Sequence, residues 1–301
     1  MVTPSLRLGP SGFLHPEWKG LVYPKAASIR RHALSTLAAY LDMVEIDVTA
    51  ERAIRPETAQ VWLSAVRDNP QFEFTALLHR AFTHERRLDP ASIAPWKQGL
   101  MPLLSVRKLG AVVMQFPWAF RYTHENREFL IELRRTFHEF PLVAEFRHES
   151  WCREEGLGTL IDYHIGLVNV DQPEYFRAMP PTALLTAPVA YVRLHGRRGR
   201  EQAQDFTASK LPPYLYCRNE LEDWIPRIGR LASHAARTYV VATNFHGARS
   251  VVNSLQLAYL LGDTQRPAPP ELLEIYWREL AEFRSRRPVQ PRLLAEAASA
   301  A

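Results

Sequence analysis

Short runs of β-branched and apolar residues recur from one end of the chain to the other, at 6–9, 43–48, 72–78, 111–116, 142–147, 165–171, 190–196 and 238–245. Near-continuous apolar runs of this length suit parallel strands buried on both faces. Most of the intervals between them carry apolar residues at helical spacing, at 28–41, 55–69, 92–109, 124–140, 154–163, 219–235 and 248–261. Two of these open with helix-entry chemistry, Pro56-Glu57-Thr58 and Thr123-His124-Glu125. The interval 172–188 holds four prolines and reads as a loop. Eight strands alternating with helices predict an α/β fold with a parallel sheet, and a single (β/α)8 TIM-type barrel closes such a sheet most economically. An open doubly wound sheet is the alternative, but no G-x-G-x-x-G follows the first strand to recommend a dinucleotide fold. The barrel is expected to occupy residues 1–265, followed by a C-terminal helical extension at 266–301. Within the extension, Leu272, Leu273, Ile275, Tyr276 and Leu280 form a stripe suited to packing on the barrel, and 286–301 is expected to be poorly ordered.

Side chains alternate between the faces of a strand, so residues i and i+2 point the same way. Five of the predicted strands end in a polar pair at that spacing: Glu45/Asp47, Glu145/Arg147, Asn169/Asp171, Arg193/His195 and Asn244/His246. The residues between them are mostly apolar. The expectation is that the apolar set faces the helices while the polar set faces the interior near the C-terminal mouth, where barrel active sites are found. The competing reading is an ion-pair lattice that only fills the barrel, Glu145 with Arg193 or Glu45 with Arg147 for example. Taken singly, Asn169 or Asp47 serves equally well as a loop cap. Other polar and aromatic residues also fall near strand ends. Gln115 is a substrate-binding candidate, His79 and His84 suit the surface better, and the Arg197-Arg198-Gly199-Arg200 run is a phosphate grip or a solvated loop. Trp18, Tyr23, Trp118 and Trp151 lie in βα loops, where they could stack on a sugar or base or simply pack over the mouth.

Composition narrows the class without naming a reaction. The 301 residues are 47% hydrophobic and 23% charged, which is ordinary for one folded globular unit of this size. The net charge of +5 is compatible with an anionic ligand, nucleic acid included, but does not require one. Cys152 and Cys217 have no metal-type spacing and are too few for a disulfide framework. The start Met1-Val2-Thr3-Pro4 lacks the basic and apolar regions of a signal peptide, and no run approaches the roughly 20 apolar residues of a membrane span. A cytoplasmic protein without a membrane partner is expected.

The same residues carry a resemblance. Gly9-Pro10-Ser11-Gly12-Phe13, with Pro16-Glu17-Trp18-Lys19-Gly20 and Tyr23-Pro24, resembles the opening signature of the DUF72 family (UPF0759, YecE-like). Val44-Glu45-Ile46-Asp47, Phe72-Glu73-Phe74-Thr75 with Thr83-His84, and Gln115-Phe116-Pro117 follow in its order. So do the more specific runs Ala144-Glu145-Phe146-Arg147-His148-Glu149-Ser150-Trp151 and Tyr191-Val192-Arg193-Leu194-His195-Gly196-Arg197. Asp171-Gln172-Pro173, Tyr214-Leu215-Tyr216 and Asn244 with Gly247-Ala248 and Asn253 complete a resemblance over roughly residues 6–261. It implies a TIM-type barrel and supplies no reaction, although the family is sometimes described as related to sugar isomerases; fold does not fix function. The chain departs from the family pattern at Asp47 (usually Asn), at Ala50 and Glu51, at Leu77 and at Thr243.

Three functions are compatible with these residues. The first is an enzyme acting by acid/base chemistry on an anionic or sugar-like small molecule. Glu45, Glu145 and His195 would be its catalytic groups, and Arg147, Arg193, Asp171, Asn244, His246, Gln115, Trp18 and Trp151 would hold the substrate. The second is a metal-dependent sugar isomerase or phosphoesterase, with Glu45, Asp47, Glu145, Asp171 and a histidine around a divalent ion. The interleaved arginines and the lack of an H-x-x-E or H-E-x-x-H run weigh against it. The third is a non-catalytic nucleotide or nucleic-acid binder using the arginine run, for which no recognisable motif is present.

Overall fold

The computed structural model describes residues 6–25, 29–197 and 213–283. Eight parallel strands alternate with helices in the order β1 (Leu6–Pro10), α1 (Ile29–Ala38), β2 (Met43–Ile46), α2 (Pro56–Ala65), β3 (Glu73–Leu77), α3 (Arg80–Thr83), α4 (Pro90–Ser105), β4 (Leu109–Gln115), α5 (His124–Thr136), β5 (Leu142–Glu145), α6 (Glu154–Asp162), β6 (Gly166–Asp171), β7 (Val189–Leu194), α7 (Arg218–Glu222), α8 (Ile225–His234), β8 (Arg237–Ala242), α9 (Arg249–Leu260) and α10 (Pro270–Ile275). From β2 to β8 each strand pairs with the next in sequence, and β8 pairs with β1. A single parallel bridge, Ser11 to Glu45, joins β1 to β2 and completes the expected (β/α)8 barrel. Gly9 makes that seam possible, because a β-carbon there would lie 2.1 Å from the Met43 carbonyl oxygen.

The strands are buried on both faces, as their composition requires. Outside, Leu6, Leu8, Val192, Leu194 and Val240 pack against Ile228, Leu231 and Leu257 of α8 and α9. Helix entry is set by local chemistry: the Thr123 hydroxyl accepts the Asn126 amide at the start of α5, with Glu125 in its first turn and Arg134 and Arg135 in its last. The interval expected as one helix at 219–235 is two. Pro226 cannot donate to the carbonyl of Glu222 and crowds it, so α7 stops there and α8 begins afresh. Residues 172–188 form the expected loop.

The C-terminal extension is part of the barrel's packing rather than an appendage. Ala268, Leu272, Leu280 and Phe283 join the main hydrophobic core. Arg266 binds Asp42 and the Tyr40 carbonyl oxygen. The expectation for 286–301 lies outside the described residues. No helix among the described residues is long and apolar enough to cross a membrane. Cys152 and Cys217 are both free thiols.

Candidate active site

Strand register decides which polar residues enter the barrel, since residues paired side by side in parallel strands share a face. Glu45 pairs with Thr75, Gln115 with Glu145, and Arg193 with Val241, and all point inward. There Arg193 bridges two carboxylates, with Nη2 2.8 Å from Glu45 Oε1 and Nη1 2.5 Å from Glu145 Oε2. Arg147 Nη2 lies 2.5 Å and His195 Nε2 3.2 Å from the other Glu145 oxygen, which also accepts from Gln115 Nε2 at 3.1 Å. Tyr191 donates to Glu45 Oε2 at 2.8 Å and meets the Thr75 hydroxyl at 2.7 Å. Arg147 reaches on to Gln172 Oε1, at 3.0 Å. The carboxylates of Glu45 and Glu145 have no solvent exposure.

This lattice sets the protonation states inside it. Burial by itself would raise the Glu145 pKa, but the Arg147 and Arg193 guanidinium groups and His195 outweigh it and hold the carboxyl well below the usual range. Burial lowers His195 to about 4, against the opposing pull of Glu145, so its imidazole is neutral near pH 7. Facing an ionised carboxylate, Nε2 carries the proton. Nδ1 meets the Thr243 hydroxyl, 2.9 Å away. Held ionised, Glu145 anchors the surrounding cations, and of the acid/base roles expected for it only that of a base is compatible with this state.

Two of the five polar pairs do not enter the barrel. Val168 and Val170 pair with Tyr191 and Arg193 and take the inner face, so Asn169 and Asp171 point outward. Asp171, expected to orient substrate, instead accepts from Arg197, Tyr216 and Trp224 among the outer helices. Asn244 likewise leaves the interior to Thr243 and donates to the Tyr214 carbonyl and to Asn253 Oδ1. Trp18 and Trp151 are also not available to a ligand. Both rings are buried, and their indole N–H groups donate to the carbonyls of Phe245 and Phe120 at 2.8 Å. Trp151 stacks on Phe146 at 4.1 Å, so these tryptophans clasp loops together. His246 sits on the rim, its ring tilted at 33° against Phe245 and 3.9 Å from Glu17.

No three histidine, cysteine or acidic side chains converge as a metal site among the described residues. The oxygens of Glu45 and Glu145 are already engaged by arginine and tyrosine donors, so this donor set does not fit a divalent ion. Arg197 is committed to Asp171, and residues 198–200 of the arginine run lie outside the described residues. Sequence reasoning missed Tyr191 and Thr75, although 191, 193 and 195 continue one inward-facing alternation that contained the signal. It also missed a polar layer at the opposite end of the barrel, where Glu73 binds Arg7, Arg237 and Tyr239.

Comparison with known proteins agrees with this architecture. A profile of the family described as protein of unknown function DUF72 matches residues 7–274. The UPF0759 protein YunF of Bacillus subtilis (strain 168) is 26% identical over 271 residues, 84% of this chain and 94% of that protein. A crystal structure of a DUF72 family protein from Thermotoga maritima MSB8 superposes with a TM-score of 0.73 at 27% identity, covering 85% of this chain and 98% of that one. One from Enterococcus faecalis V583 superposes at 0.72 and 24% identity, covering 85% and 95%, and bears on the fold alone. With the match running from the first strand into the C-terminal extension, the chain belongs to the DUF72 family.

Proposed function

We propose that the chain is an enzyme that takes a polar, sugar-like small molecule into the C-terminal mouth of its barrel and moves a proton on it. The observation that carries this reading is the burial of four opposed charges, Glu45, Glu145, Arg147 and Arg193, at the end of the barrel that hosts chemistry in this fold. Buried ion pairs commonly contribute no net stability over apolar side chains of the same volume. What a fully engaged lattice supplies is a rigid polar floor, which is what a positioned reaction needs.

Charge balance favours the sugar-like class over the anionic one. Two glutamates already neutralise the two arginines, and Arg197 is bound to Asp171. A phosphate would have to displace a carboxylate from a guanidinium fork, whereas an uncharged hydroxylated ligand needs only hydrogen-bond partners. The test is to incubate the protein with a panel of neutral aldoses, ketoses and polyols in D2O and follow solvent deuterium entering carbon positions by NMR. Deuterium next to a carbonyl, or a new epimer, is the expected result with at least one sugar. Stabilisation by phosphorylated metabolites alone, with no neutral sugar gaining deuterium, would reject the reading.

A further inference from the structure

We propose that His15 and Asp47 form the proton-exchanging pair of this mouth, one taking a proton from the ligand while the other supplies one. The inference rests on the reading of the mouth as an active site and names the groups that perform its chemistry.

The geometry begins with a glycine. Gly12 sits at φ +75°, and a β-carbon on it would fall 2.4 Å from His15 Nε2 and 2.6 Å from Asp47 Oδ2. The imidazole nitrogen and the carboxylate oxygen thus converge on a volume that only glycine leaves open. Asp47 stands two residues beyond Glu45, above the buried lattice, and feels the charge of Arg193. It precedes a short 3₁₀ turn without capping it, and its carboxylate is bonded by the backbone amides of Asp47 and Val48. His15 lies flat on Phe245, with ring centroids 4.6 Å apart and planes 7° apart, and leans on Trp18. Trp18 is itself pinned to the Phe245 carbonyl, so packing from the β1 and β8 loops sets the imidazole's orientation. Both groups are half-buried and open to the mouth, unlike His195 and Glu145 beneath them.

The surroundings complete the case. His15 faces Asp47, Glu17, His246 and the Ser11 carbonyl oxygen at 3.3 Å, and Asp47 faces His15 and Arg193. Burial pushes the imidazole down and the carboxyl up, which draws their proton affinities together. Two groups so matched can pass a proton between them and a ligand. In the step this permits, the Asp47 carboxylate takes the proton from a carbon beside a sugar carbonyl. The C–H electron pair becomes the second bond between the two carbons, the carbonyl π pair moves onto the oxygen, and that oxygen takes a proton from the His15 imidazolium. Reversal at the same or the neighbouring carbon restores both groups, and no co-reactant is consumed.

The experiment follows the His15 imidazole by NMR in the full chain labelled with 15N-histidine, with His15→Gln to assign its signal. His15 is expected to titrate below its ordinary range in the wild type, and lower still in Asp47→Asn, where the carboxylate no longer supports the cation. Deuterium incorporation into the responsive sugar is expected to fall about 10²–10⁴-fold in both variants while thermal stabilisation by that sugar persists. A His15 titration unmoved by Asp47→Asn overturns the pair, as does full incorporation in either variant. A wild type that exchanges no proton on any sugar, while His15 still answers to Asp47→Asn, retires the sugar reading and leaves the coupled pair supported.

Discussion

Arg193 is the residue on which the lattice turns, because it bridges the carboxylates of Glu45 and Glu145. Arg193→Met strands two carboxylates without their shared cation and is expected to destabilise the fold by about 3–5 kcal/mol in urea unfolding. The half-exposed Arg197 is expected to tolerate the same change with a smaller loss. His195 gives a pH signature. Its imidazole is held neutral down to about 4 in the fold, while in the unfolded chain it protonates below its ordinary 6.5. The unfolded state therefore binds more protons between those values, and stability falls as pH drops from 6.5 to 4, by a sum on the order of 3 kcal/mol. Glu145 acts in the same direction at lower pH: its contribution is complete above the ordinary carboxyl range and is lost as pH falls towards its depressed value. Denaturant midpoints between pH 7 and 4 should decline steeply in the wild type and more gently in His195→Gln.

At the scale of strands and loops, the eight strands were legible because a parallel strand buried on both faces leaves a continuous apolar run. That same property hid the orientation of β6. Val168 and Val170 suit the barrel interior as well as the helix side, so only the pairing with Tyr191 and Arg193 decides that Asp171 turns outward. The pair of His15 and Asp47 was illegible for another reason: it is assembled across two loops by a glycine conformation, and no spacing along the chain encodes it. Trp18 and Trp151 were legible as aromatics in loops, but what they touch was not. Trp151→Ala, which removes the stack on Phe146 and the bond to Phe120, is expected to cost about 3–5 kcal/mol by chemical denaturation. Affinity for a sugar that stabilises the protein should change little once the variant is folded.

Across the whole molecule, the barrel and its C-terminal extension share one core, so the extension cannot be removed as a separate piece. Truncation after residue 265 takes away Arg266, Leu272, Leu280 and Phe283 together, and calorimetry should show a strongly lowered melting temperature or no cooperative transition. The barrel's seam is a different kind of weak point. β7 and β8 run in register over six residue pairs, whereas β1 meets β2 through one bridge and the Gly12 amide on the Glu45 carbonyl at 2.8 Å. The Gly12 amide should therefore exchange with solvent sooner than that of Val240. Glu45 is thus a latch with its backbone and a floorboard with its side chain. His15 and Asp47 stand on opposite sides of that latch, so an opening along this line would part the two members of the proposed proton-exchanging pair.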